Sequence, residues 1–137
     1  MNVRSMIVLA VSAGFILTGG RVYAHHSFDA EYDRNKPITV TGTVTKLEWT
    51  NPHARIYIDV KDENGTIANW DFELGPPNGL MRRGWNRNSL KAGHVVTISG
   101  FRSKKSNESH IANARTVTLA DGRQVFAGSS FDTGPTQ

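Results

Sequence analysis

The stretch that decides the fold is Ile38–Val60, ITVTGTVTKLEWTNPHARIYIDV, in which apolar and polar residues alternate as they do in β-strands. The apolar positions follow a period of two up to Val44 and resume at Leu47, one residue out of phase. This change of phase predicts a β-bulge near Thr45, and a bulged strand can bend far enough to take part in both sides of a barrel. We therefore expect two long strands joined by a corner at Asn51-Pro52-His53.

The same alternation predicts three further strands downstream, over residues 66–74, 94–102 and 110–119, followed by a short extended piece over 123–126. Asn64-Gly65 predicts a tight hairpin turn before the third strand. Asn78 can cap a short helix over residues 79–83 that stops at Gly84. Five strands with a helix between the third and the fourth is the order of an OB-fold, a small all-β Greek-key barrel. A flat β-sandwich is the alternative, but it would not need the change of phase in the first strand.

The first 24 residues are typical of a cleavable secretory signal. Arg4 precedes an apolar run over residues 6–17 that is too short to span a bilayer, and Val22 and Ala24 are suitable residues before a cleavage site. An uncleaved anchor is the alternative. Cleavage after Ala24 divides the rest of the chain into three parts, namely an extended arm over 25–37 anchored by Phe28 and Tyr32, a barrel over 38–127 and a flexible tail over 128–137. We expect a periplasmic or secreted protein with no membrane span after cleavage.

Composition limits the classes of partner. The chain has 137 residues and a formal net charge of +4, and removing Arg4 and Arg21 with the signal lowers that charge to +2. So small a charge argues against nucleic acid as a partner, because nucleic-acid binding needs a clustered basic face. The chain has no cysteine, which excludes disulfides, thiol chemistry and thiolate metal sites.

A histidine at the new N-terminus predicts a metal site. The amine and the ring of His25 can chelate a cation, and a third nitrogen, from His53 or alternatively from His26, completes a set that suits copper(II). The reference pKa of an α-amine is about 8, so the amine can be deprotonated for binding at neutral pH. Asp29 and Glu31 offer oxygen donors nearby. There are two alternative interpretations. The two adjacent histidines are only the solvated end of the arm, and the His53 imidazole only bonds a nearby backbone group in the turn.

The sequence identifies no catalytic residue. The polar sides of the predicted strands carry Asp59, Asp71 and Glu73. We expect these carboxylates to be solvated, and a solvated carboxylate is poorly suited to act as a general acid or base. The serines lack a Gly-x-Ser-x-Gly setting. We expect His94 and His110 to be surface residues. A binding protein is therefore favoured over an enzyme, and a copper oxidoreductase with the same ligands is a further alternative.

A second candidate site needs no metal. Tyr57 and Arg55 are predicted on the solvent side of the second strand, and Arg82, Arg83 and Trp85 lie around the short helix. In a barrel of this type, aromatic and cationic residues on strands two and three would form a platform for single-stranded nucleic acid or sugars. The competing interpretation is that the surface of Tyr57, Trp85 and the arginines binds a periplasmic protein or an envelope ligand. This surface defines the alternative function, that of a metal-free binding module.

Several motifs resemble a bacterial family catalogued as domain of unknown function 6152. They are His-His-Ser-Phe at 25–28, Lys-Pro-Ile-Thr-Val-Thr-Gly-Thr-Val at 36–44, Glu-Trp-Thr-Asn-Pro-His-Ala at 48–54, Trp-Asp-Phe-Glu-Leu-Gly at 70–75, Asn-Gly-Leu-Met-Arg-Arg-Gly-Trp at 78–85 and Phe-Ala-Gly-Ser-Ser at 126–130. The resemblance implies a small exported protein and brings no established activity. Its two histidine motifs fall on His25, His26 and His53. His94 stands where such proteins are expected to have an acid after Gly93, which weakens the case for His94 as a ligand.

Overall fold

The described part of the chain, residues 28–105 and 110–127 of a computed structural model, consists mostly of β-strands. The strands are β1 Tyr32–Glu48, β2 Arg55–Lys61, β3 Ile67–Glu73, β4 Val95–Ser103, β5 Ile111–Leu119 and β6 Gln124–Ala127. The two short helices are α1 Phe28–Glu31 and α2 Pro77–Arg82. The predicted signal over 1–24, the tip of the loop before β5 and the tail from 128 lie outside the described residues.

The first strand serves two neighbours, as its sequence predicted. Its first part pairs with β4 and its last part with β2, and Thr43 is partnered with both Asp59 and Val95. The register with β2 shifts between Val44 and Lys46, which confirms the predicted bulge. The strand begins at Tyr32, earlier than the Ile38 start that its alternation indicated, because Tyr32 and Pro37 also pair with β4, at Ser103 and Phe101.

A short parallel pairing closes the sheet. The strands follow the order β3-β2-β1-β4-β5-β6, and β3 also pairs with β5 through Asp71 with Ile111, Phe72 with Ala112 and Glu73 with Asn113. The predicted barrel is therefore confirmed, and the flat β-sandwich is wrong because the sheet closes on itself.

The core fills the barrel with the apolar sides of its strands. Its buried residues are Val44, Ala54, Ile56, Ile58, Trp70, Phe72, Leu74, Leu80, Trp85, Leu90, Val96, Ile98, Ala112, Ala114 and Val117. β4 and β5 approach each other closely at Gly100, where an added Cβ would lie 1.7 Å from the carbonyl oxygen of Asn113. Only glycine fits that position without a shift of backbone.

One local prediction was correct only in part, and another was wrong. The predicted hairpin joins β2 to β3, but Gly65 has a positive φ and Asn64 does not, so the turn is not made by positive φ angles at both residues. Instead, the Asp62 carboxylate accepts the backbone N–H groups of Asn64 and Thr66, which makes a longer loop. Asn78 does not cap α2, because the helix begins one residue earlier, at Pro77, whose fixed φ suits a first helical position.

The arm joins the barrel through two aromatic residues. Phe28 and Tyr32 are both buried, as predicted, and their ring centroids are 5.4 Å apart. Phe28 also packs edge-on against Phe101 of β4, at 5.7 Å. Among the described residues, no helix has the length and apolar character needed to cross a membrane.

Candidate functional site

A buried carboxylate is the centre of the candidate site. Glu73, the last residue of β3, is 6% exposed, although strand alternation placed it on the solvent side with Asp71. That prediction was wrong for Glu73 because Tyr32 from the start of β1 and His53 from the β1–β2 corner both reach its carboxylate. A buried carboxylate needs such partners, since an isolated one would be strongly destabilised.

Three side chains from different elements meet at Glu73. The Tyr32 hydroxyl donates a hydrogen bond of 2.9 Å to Glu73 Oε2. His53 Nδ1 lies 2.9 Å from Glu73 Oε1. The Arg55 Nη1 group is 3.3 Å from Oε2. Because a carboxylate can only accept, a hydrogen shared at the His53 contact would come from Nδ1 and would leave Nε2 as the nitrogen that could coordinate a metal.

Arg55 connects this cluster to the polar face of the sheet. Its Nε and Nη2 groups donate to the two carboxylate oxygens of Asp71, at 2.7 and 2.9 Å. This two-point geometry is the arrangement in which a guanidinium recognises a carboxylate best. The side chain of Arg55 is therefore held between two acids, and it contacts the Glu73 oxygen that His53 does not contact.

The electrostatics keep Glu73 ionised. Burial raises the pKa of Glu73, but the hydrogen bonds from His53 and Tyr32, with the charges of His53 and Arg55, outweigh burial and leave the pKa below its usual value. Burial and the neighbouring Glu73 charge raise the pKa of Tyr32, so the phenol keeps its proton and donates it. Burial lowers the pKa of Arg55, but the Asp71 partner raises it more, so the guanidinium stays charged.

Backbone pairing fixes the corner that carries His53. The Ala54 N–H donates to the Gly75 carbonyl at 3.1 Å, and the Leu74 N–H donates to the Ala54 carbonyl at 2.8 Å. Ala54 is fully buried. These two hydrogen bonds tie the end of the corner to the residues directly after Glu73, which explains why His53 and Glu73 meet although twenty positions separate them.

The predicted metal ligands divide into described and undescribed residues. His53 is part of the cluster, whereas His25 and His26 lie outside the described residues. Within residues 28–105 and 110–127, no group of three or more histidine, cysteine or acidic side chains could hold a metal ion. His94 and His110 are exposed, as predicted; His94 Nδ1 accepts the Lys91 N–H at 3.4 Å, and His110 packs edge-on against Trp70.

The residues of the predicted partner surface have different surroundings in the structure. Trp85 is only 4% exposed, because its ring packs into the core with Leu80 and Leu90, so it offers no surface for a partner. Arg82 and Arg83 are exposed at the end of α2. Tyr57 is half-buried and donates to Glu48 Oε2 at 3.3 Å, while Arg55 belongs to the Glu73 cluster.

Sequence reasoning missed Glu73 and the role of Tyr32. One signal could have indicated Glu73: it stands between the buried residues Phe72 and Leu74 at the end of a strand, where the chain turns inward, and the cation Arg55 is its direct partner across β2 and β3. Tyr32 gave no comparable signal beyond being a large aromatic residue in a polar segment.

These elements define a class of protein: a small closed β-barrel with a buried carboxylate that joins a tyrosine, a histidine and an arginine. The chain belongs to the family of unknown function DUF6152, whose model matches residues 14–112. The match confirms the resemblance stated from the motifs, although the Phe-Ala-Gly-Ser-Ser motif at 126–130 lies beyond the matched residues. A search among curated proteins found no match.

Proposed function

We propose that the protein is an exported copper(II)-binding protein of the periplasm, which holds the metal through His25 and His53 for binding or transfer. The observation that carries this proposal is the 2.9 Å contact between His53 Nδ1 and the buried Glu73 carboxylate. Histidine ligands of metals commonly donate their other ring N–H to a carboxylate, which fixes the tautomer and the direction of the coordinating nitrogen.

The chemistry of the donors favours copper. Cleavage after Ala24 would give His25 a primary amine beside its imidazole, and these two nitrogens with His53 Nε2 would make a planar three-nitrogen set of the kind that Cu(II) prefers. His26 is the second choice for the third nitrogen. The absence of cysteine from the sequence leaves nitrogen and oxygen donors for any metal.

The distances in the cluster are compatible with this ligand set. His25 precedes Phe28 by three residues, and three extended residues span about 10 Å. The Phe28 ring lies 5.4 Å from the Tyr32 ring, and the Tyr32 hydroxyl bonds to the same carboxylate that His53 contacts. Phe28, the first described residue, is therefore linked to His53 through Tyr32 and Glu73.

The finer fold assignment is also part of the proposal. We infer that the barrel is an OB-fold, since its first strand pairs with both β2 and β4, its closure is a parallel β3–β5 pairing and its helix follows β3. The apolar run after Arg4 and the small residue at 24 support a cleaved signal and a periplasmic location. Mass spectrometry of the protein exported by a bacterial host tests the cleavage directly, with His25 as the expected first residue.

Copper titration tests the metal site. Cu(II) is added to a protein that begins at His25 and to one with a single alanine in front of His25, and affinity and electron paramagnetic resonance spectra are compared. We expect tight binding and a nitrogen-rich spectrum that the extra alanine abolishes. Weak binding that is equal in both proteins would contradict the proposal.

Two substitutions test the role of the cluster. H53A should weaken copper binding strongly, whereas the matched control H94A removes an exposed imidazole and should leave the affinity unchanged. E73Q should reduce the affinity by about 10- to 100-fold, because the carboxylate that orients the His53 ring is lost while the ligands remain. Thermal unfolding of each variant establishes that the protein tested is folded. Equal affinities of wild type and H53A would remove His53 from the site.

A further inference from the structure

The charges of the chain are distributed unevenly along its sequence. Residues 75–107 contain no aspartate or glutamate, and they contain seven cations: Arg82, Arg83, Arg87, Lys91, Arg102, Lys104 and Lys105. Residues 28–73, by contrast, contain more acidic than basic side chains. The first four cations belong to one segment, residues 77–93, which consists of α2 and the loop that leads to β4; we call it the α2 segment.

Three apolar anchors fix the α2 segment on the barrel. Leu80, Trp85 and Leu90 are 2%, 4% and 2% exposed and belong to the core cluster. Between these anchors the chain is exposed, from Met81 to Gly84 and from Asn86 to Asn88. Because the three anchors hold the α2 segment on the barrel, the side chains between them face the solvent from a fixed backbone.

The outward side of the α2 segment is cationic and carries one large apolar side chain. Arg82, Arg87 and Lys91 are exposed, and Met81, directly before Arg82, is 51% exposed. In the part of the chain that the structure describes, the ion pairs join other cations to carboxylates of α1, the strands and the β5–β6 turn, and none of them includes these three side chains. Their charge is therefore not neutralised by a neighbouring carboxylate of the described residues.

We propose that the α2 segment docks the protein on a membrane surface rich in anionic phospholipids. Cations close to such a surface each strengthen binding by about fivefold, without a requirement for complementary shape. An exposed apolar side chain among cations suits the boundary between headgroups and acyl chains. These observations favour a lipid surface over an acidic protein, because Met81 stands exposed next to the cations and would enter that boundary. The proposal is independent of copper binding.

Vesicle sedimentation tests this docking. The mature protein is mixed with vesicles of phosphatidylcholine alone and with vesicles that contain phosphatidylglycerol, at low and at high salt. We expect binding only to the anionic vesicles, reduced by salt because screening weakens exposed charge interactions. The double variant R82E/R87E should bind the anionic vesicles at least about tenfold more weakly.

The control has the same change in net charge at a different place. K61E/R115E reverses two exposed cations outside the α2 segment, so it should bind as wild type does. M81N should bind more weakly than wild type and should keep the salt dependence. Failure of the wild type to bind anionic vesicles would overturn the proposal. An equal loss in the two double variants would also overturn it, since net charge and not the α2 segment would then determine binding.

Discussion

The hydroxyl of Tyr32 donates a 2.9 Å hydrogen bond to the carboxylate of Glu73 across 41 positions of the sequence. This contact joins the first residue of β1 to the last residue of β3. It also places a phenol over a carboxylate that β-strand alternation alone would have exposed. The barrel and the candidate site are therefore stabilised by the same hydrogen bond.

Replacing Tyr32 by phenylalanine should lower the free energy of unfolding by about 1.5–3 kcal/mol, the contribution of a hydrogen bond to a charged group. The ring remains to pack against Phe28, so the change isolates the hydroxyl. Urea unfolding measures the difference. Y57F is the matched control, because the Tyr57 hydroxyl donates at 3.3 Å to Glu48 on a more exposed part of the sheet. Equal losses in the two variants would show that the Glu73 contact has no special contribution.

Stability should fall in acid because of Glu73. Its pKa in the folded protein lies below the usual value, so folding favours the ionised form. The resulting stability is fully present above the pKa of the unfolded chain and is lost as pH falls through the folded pKa. We expect the free energy of unfolding to decrease below about pH 5.

The variant E73Q isolates this contribution. Unfolding of wild type and E73Q is measured from pH 7 to pH 3, and the difference between them should shrink in acid, since wild type alone loses the ionised Glu73. E63Q removes one exposed carboxylate from the β2–β3 loop and controls for the change in charge. A constant difference between wild type and E73Q over this range would contradict the assignment.

Replacing Gly100 by alanine should destabilise the barrel by about 3 kcal/mol or more, because the new Cβ would overlap the Asn113 carbonyl and force the backbone of β4 or β5 to move. G79A is the matched control. Its Cβ would meet only side-chain carbons of Pro76, at 3.5 Å and beyond, on a helical residue, so its stability should equal or exceed that of wild type by up to about 1 kcal/mol. Circular dichroism with urea unfolding distinguishes the two. A G100A protein as stable as G79A would show that the strands can separate at no cost.

The sequence contained enough information for the barrel because local patterns specify it. The change of phase after Val44 predicted the bulge, and the alternating residues of β2, β3 and β4 predicted their buried sides. The turn around Asn64 and the start of α2 were less predictable, because Asp62 and Pro77 compete with the residues that the standard turn and cap preferences favour.

The candidate site was only half predictable. His53 was identified from its chemistry and its place in the corner, but Glu73 was assigned to solvent. The reason is physical: the alternation of a strand reports which side faces the core, whereas the burial of Glu73 depends on Tyr32 and on the corner, which come from distant parts of the chain. Burial produced by long-range contacts leaves no periodic pattern in the sequence.

One of the three residue pairs that close the barrel also belongs to the candidate site. Glu73 is the last of them, paired with Asn113, and its side chain meets His53 and Tyr32. A mutation at this position therefore changes the closure of the fold and the setting of the imidazole together. A variant without His53 would still need the Glu73 carboxylate as the partner of Tyr32 and Arg55, so the fold alone is reason enough to keep the acid.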